Sequence, residues 1–125
     1  MNNPRITAKE RGLLIGAFRR VFSRSDLRRE VLESVKVVMH YDVAHPRVKH
    51  WSRCPLCKKI SPRYLFVVDH IQPVVPVYRT QADMTWDEII DAIWCVKSNL
   101  QPICKTCHKD KTAHERKLRK CHKAI

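Results

Sequence analysis

No stretch of about 18 apolar residues occurs in this chain of 125 residues, which excludes a membrane-spanning helix. The opening Met1-Asn-Asn-Pro-Arg-Ile-Thr7 lacks the apolar core of a signal peptide, so a cytoplasmic location is expected. Acidic residues are scarce: 12 Asp and Glu stand against 25 Lys and Arg, a formal charge of +13. Neither a lipidation signal nor a clean basic amphipathic anchor accompanies that charge. Nucleic acid, bound by counterion release, is therefore favoured over an anionic membrane surface. No internal repeat or low-complexity segment is present, and the two glycines, Gly12 and Gly16, both fall inside one predicted helix.

The length fits one domain with an appended arm, and an apolar content of 44% is enough to bury a core. Residues 1–50 read as a helical arm and connector, and residues 51–125 as the metal-stapled domain ending in a basic helix. Thr7-Ala-Lys-Glu10 is a capping box, and the helix it opens carries Leu14, Ala17, Phe18, Val21 and Phe22 at helical spacing. Gly12 and Gly16 weaken this helix by roughly 1 kcal/mol each and leave room for a close helix contact. Ser23-Arg-Ser25-Asp26 starts a second helix whose face is Leu27, Val31, Ser34/Val35 and Val38, giving an N-terminal helical hairpin. Arginines including Arg19, Arg20 and Arg28 cluster at its junction, either as a solvated outer face or as a phosphate-gripping arm.

Residues 40–50 have no clear period and form a connector with a short extended piece. Tyr64–Asp69 is aromatic and β-branched and reads as a strand ending at Asp69-His70. Pro73 and Pro76 then open a long loop, inside which Thr85-Trp-Asp-Glu88 caps a helix with a stripe of Trp86, Ile89, Ile90, Ile93 and Trp94. Leu100–Ile103 is a second strand with Pro102 at an edge or bulge, and a Lys/Arg-rich helix runs from Thr106 to about Lys120.

Six cysteines are present, four of them as the pairs Cys54-Pro-Leu-Cys57 and Cys104-Lys-Thr-Cys107. Two such turns present four sulfurs to one tetrahedral ion, so a structural Zn²⁺ is expected. A redox dithiol needs a thioredoxin-like context, which is missing. A zinc ion held by four thiolates would lower the net charge by only about two units and has no open coordination position for chemistry. Lys58 and Lys59 follow Cys57, where a small residue is usual. Cys95 reads as a small buried hydrophobe, and Cys121, beside His122, has no motif partner.

The remaining ligand-type residues are Asp69, His70, Asn99 and His108. A hairpin clamped to the following helix can gather all four. Asp69 and His108 can then share one divalent ion, and His70, pointing the other way, can take a proton from water. Asn99 either pins the loop that orients His70 or joins the metal shell. Lys105, Lys109 and Lys111, near the start of the last helix, can hold neighbouring phosphates.

Cys54-x2-Cys57, Val68-Asp-His70-Ile71, Asn99-Leu-Gln-Pro-Ile and Cys104-x2-Cys107-His108-x2-Lys111-Thr112 together resemble the HNH endonuclease family, specifically its small zinc-stapled, phage-type members. The resemblance covers about residues 51–115. It implies an α+β chain: a small ββα-metal core with a four-cysteine zinc site, a helical insertion and the N-terminal helical hairpin. It implies His70 as general base, Asp69 and His108 as catalytic-metal ligands, and Asn99 as the residue organising the loop. The implied activity is hydrolysis or nicking of DNA, leaving 5′-phosphate and 3′-hydroxyl ends, with Mg²⁺ or Mn²⁺ as the ion and Zn²⁺ or Ni²⁺ permitted. The alternative is a catalytically silent, zinc-stapled DNA-binding module in phage packaging, regulation or contact with a host protein. Homodimerisation stays open, and the location is the host cytoplasm for a phage-encoded chain.

Overall fold

The computed structural model describes residues 5–38 and 40–124, so Met1–Pro4 of the opening segment lie outside the described residues. Helix α1 spans Ala8–Phe22 behind the Thr7–Glu10 capping box, in which the Thr7 hydroxyl accepts from the Glu10 amide and the Glu10 carboxylate accepts from the Thr7 amide. The face it buries is only in part the expected one. Arg11, Ile15 and Phe22 are buried and Phe18 packs beside them, whereas Leu14 and Val21 are 39% and 62% exposed. Arg11 sets this rotation. Its guanidinium lies 4.4 Å from the Trp86 ring centre and donates to the carbonyls of Gln81 and Met84. Neither glycine marks a close helix approach: a methyl group at Gly12 would meet nothing within 4 Å, and one at Gly16 only the tip of Arg20.

Helix α2, Asp26–Glu33, is capped by Ser25 and stops earlier than expected. The chain leaves it to pair Lys36–Val37 (β1) with Trp51–Arg53 (β2), which leaves Val38 outside the helix and 75% exposed. The ladder competes successfully for backbone that the side-chain pattern alone assigns to helix. The two helices also pack on different elements. Helix α1 lies against helix α3 (Trp86–Ile93), and α2 lies across the strands Phe66–His70 (β4) and Leu100–Cys104 (β5).

Two small antiparallel sheets form. In the first, β1, β2 and Ile60–Pro62 (β3) lie in that order, and the Cys54–Cys57 turn is the tip of the β2–β3 hairpin. This sheet is not expected from the sequence, because its strands are two or three residues long and show no alternation. In the second, β4 and β5 pair with Phe66 opposite Cys104, Asp69 opposite Gln101 and His70 opposite Leu100. Strand β4 starts later than expected, since Arg63–Leu65 form a single 3₁₀ turn after Pro62. Pro102 is accommodated because each strand of a two-stranded sheet is an edge. Helix α4, Lys105–Ala124, follows β5 without a loop.

The Thr85–Glu88 capping box holds α3 as expected, with Ile89 and Ile93 fully buried. These two join Ile15, Phe22, Val31, Val74, Met84 and Leu100 in one apolar cluster. A second cluster of Leu32, Phe66 and Ile103 surrounds Cys54 and Cys104. Adjacent residues of α2, Val31 and Leu32, face the two clusters, and Val68 touches both. The N-terminal helices are therefore part of the core that positions β4. No helix among the described residues is long and apolar enough to cross a membrane.

Candidate functional site

The two cysteine turns meet. All four sulfurs, of Cys54, Cys57, Cys104 and Cys107, lie within 4.8 Å of one another. The Cys54–Cys107 and Cys57–Cys104 separations are both 3.8 Å. Tetrahedral Zn–S bonds of about 2.3 Å require sulfurs about 3.8 Å apart, so the donor set fits a zinc-like ion. The first turn is closed by the Lys58 amide donating to the Cys54 carbonyl and the Cys54 amide donating to Lys59. Lys58 takes the left-handed conformation, φ 66°, where glycine is usual. Burial opposes charge on the Cys54 thiol. Backbone amides of Cys104, Cys57 and Leu56 outweigh it and draw the pKa below the ordinary thiol value. Burial, neighbouring thiols and the Cys54 charge push Cys107 the other way. Four like groups cannot all ionise this close without a cation between them.

The cluster fixes β5 and the start of α4 to the β2–β3 hairpin. Beyond it, the end of β4 and the inner face of α4 border a cleft of about 460 Å³ lined by Asp69, His70 and His108. Asp69 is buried at the end of β4 and accepts from Gln101, its cross-strand partner, at 2.9 Å. Its other partners come from α4. The Lys111 ammonium lies 3.1 Å away, and His108 Nε2 is 3.7 Å from Oδ1. Two ligands sharing one ion through bonds of about 2.1 Å can be at most about 4.2 Å apart, so Asp69 and His108 are close enough.

His70 follows Asp69 and points elsewhere, as alternation along a strand requires. Its Nε2 lies 2.8 Å from the Ile93 carbonyl, which can only accept, so Nε2 carries the proton. In the neutral ring Nδ1 is then the basic nitrogen. The ring centre is 5.4 Å from that of Phe22, which itself packs edge-on against Trp94. Helices α1 and α3 thus hold the imidazole. Asn99 closes the turn after β4: its side-chain oxygen accepts from the Gln72 amide at 2.9 Å, and its backbone carbonyl accepts from Ile71 at 2.8 Å. It lies behind the turn and does not line the cleft.

The basic residues take different places. Of Arg19, Arg20 and Arg28, only Arg19 lines the cleft. Arg20 borders a separate surface depression with Val21 and Arg24, and Arg28 turns back to donate to the Ser23 carbonyl. Lys105 is exposed beside the cysteine cluster, and Lys109 is exposed outside the cleft. Lys111 is not a free phosphate contact. Its ammonium is shared among Asp69, the His70 carbonyl and Glu115, and its side chain is only 19% exposed. Burial works against this charge, but bonds to Glu115 and Asp69 outweigh it and raise the Lys111 pKa.

The cleft also contains Thr112, Glu115, Arg116 and Arg119, and Gln101 supports it from β5, all unanticipated. A helical repeat counted from His108 would have found the α4 residues, since positions 108, 112, 115, 116 and 119 share one face. Comparison of the chain with models of known protein families, with curated proteins and with solved structures gives no match.

Proposed function

We propose that the protein is a metal-dependent endonuclease or nickase of the HNH type, with β4, β5 and α4 as a ββα-metal core and the four cysteines as a structural zinc site. The observation carrying this reading is the placement of Asp69, His70 and His108 around one cleft, with the His70 proton committed to the Ile93 carbonyl. His70 Nδ1 takes a proton from the water whose oxygen bonds to phosphorus, the bond from phosphorus to the 3′ oxygen breaks, and that oxygen takes a proton from solvent. The ends are a 5′-phosphate and a 3′-hydroxyl. Asp69 and His108 would hold the divalent ion, Mg²⁺ or Mn²⁺, whose charge would stabilise the phosphate and the departing oxygen. Gln101 and Lys111 orient the Asp69 carboxylate, and Asn99 fixes the turn that follows His70. A formal charge of +13 suits a polyanionic substrate such as DNA.

A specific observation favours the second reading, a catalytically silent DNA-binding module. Asp69 already has a cationic partner in Lys111, which competes with a divalent ion for the same carboxylate. Plasmid incubated with Mg²⁺ or Mn²⁺ and either the unaltered chain or His70→Ala separates the two readings. The nuclease nicks, and the substitution lowers the rate by about a hundredfold or more. Equal products from both chains would leave the binding module.

A further inference from the structure

Several arginines are committed within the fold. Arg63 pairs with Glu33, Arg79 pairs with Glu88, and Arg119 donates to the carbonyls of Val75 and Pro76. Arg19 and Arg116 differ: both are exposed, both line the cleft with His70 and His108, and neither guanidinium has a hydrogen-bond or carboxylate partner among the described residues. A guanidinium presents a fork of donors that fits two phosphate oxygens.

Their positions follow from the site itself. Arg19 precedes Phe22 by one helical turn, and Phe22 holds the His70 ring. Arg116 lies two turns beyond His108 on the same face of α4. The cleft lining therefore takes one arginine from the N-terminal helix and one from the C-terminal helix. Glu115 also lines the cleft, but it bonds Lys111 and makes no ion pair with either arginine.

We propose that Arg19 and Arg116 form a two-sided clamp for phosphates of a nucleic-acid backbone, which makes α1 part of the substrate site. The clamp rests on the nucleic-acid reading above but does not require cleavage.

The test uses the full chain carrying His70→Ala, so that cleavage does not complicate binding, and adds Arg19→Gln, Arg116→Gln or both. Arg20→Gln is the control, because it removes the same charge one residue away, outside the cleft. Binding of a short DNA duplex, and of single-stranded DNA and RNA of the same length, is followed by fluorescence anisotropy across a salt series without added Mg²⁺. On the duplex, the slope of log affinity against log salt should fall by about 0.9 for each cleft arginine and by about 1.8 for both, with a smaller change for Arg20→Gln. The strand form whose slope responds to both substitutions is the one clamped.

Matched melting curves exclude unfolding as the cause. Slopes that stay at the parent value, or an Arg20→Gln effect equal to that of Arg19→Gln, would overturn the clamp. Nicking by the unaltered chain would still support the nuclease in that case. Reduced slopes without nicking would instead place the clamp on a binding protein.

Discussion

The Lys111 ammonium lies 3.1 Å from an oxygen of the buried Asp69 carboxylate and also bonds the carbonyl of the next residue, His70, at 3.0 Å. One side chain on α4 therefore ties down the end of β4 on which both candidate catalytic groups sit. Glu115, one turn further along, keeps the ammonium there. Replacing Lys111 by Met removes the nearest cation from the buried Asp69 charge and leaves it only Gln101 and the more distant His108, which should cost about 3 kcal/mol of stability. If Asp69 and His108 hold a divalent ion, that ion can replace the lost positive charge. Mn²⁺ should then raise the melting temperature of Lys111→Met more than that of the unaltered chain. Equal shifts in the two proteins would remove Asp69 as a metal ligand.

The cysteine cluster makes a separate prediction. The four sulfurs join the β2–β3 hairpin to β5 and α4, elements distant in sequence with a small shared core. Zinc binding there would be folding free energy. Native mass spectrometry should find one zinc per chain. Chelation should unfold the β4–β5–α4 unit, seen as loss of helical circular dichroism with loss of DNA binding. Cys57→Ser should have the same effect although Cys57 is exposed, whereas Cys121→Ser should have none. An unchanged melting curve after verified zinc removal would refute the structural role.

Helix α1 shows how far the sequence could be read. The capping box fixed its start, because caps are local chemistry. Which stripe it buries depended on Arg11 finding Trp86, a contact made only after folding, and Leu14 was wrongly favoured over Ile15. The same division holds at the candidate site. The pairing of two cysteine turns was legible from spacing. The roles of Gln101 and Lys111 were not, since they follow from strand register and from the rotation of α4. Ile15→Ala should therefore cost about 3 kcal/mol, and Leu14→Ala less than about 1 kcal/mol, by chemical denaturation. The reverse order would mean that α1 docks on its other stripe.

Glu88 offers a test by pH. Hydrogen bonds from Arg79, then from the Thr85 amide, outweigh partial burial and hold its pKa at about 2, below the usual 4.5. The unfolded chain takes up a proton on Glu88 near pH 4.5, and the folded chain does so only near pH 2. The stability that the Glu88 charge contributes is thus fully present above pH 4.5 and disappears as the pH falls towards 2. Glu88→Gln removes it at every pH. The stability difference between the two chains, from urea midpoints, should be constant from neutral pH down to about 5.5 and should shrink between pH 4.5 and about 2. Acid also protonates the thiolates of the cysteine cluster and releases zinc, so the difference is followed only down to the pH at which both chains keep their helical circular dichroism. A difference that has not begun to shrink by about pH 3.5 would mean that Glu88 acts by capping α3 and packing, with no contribution from its charge.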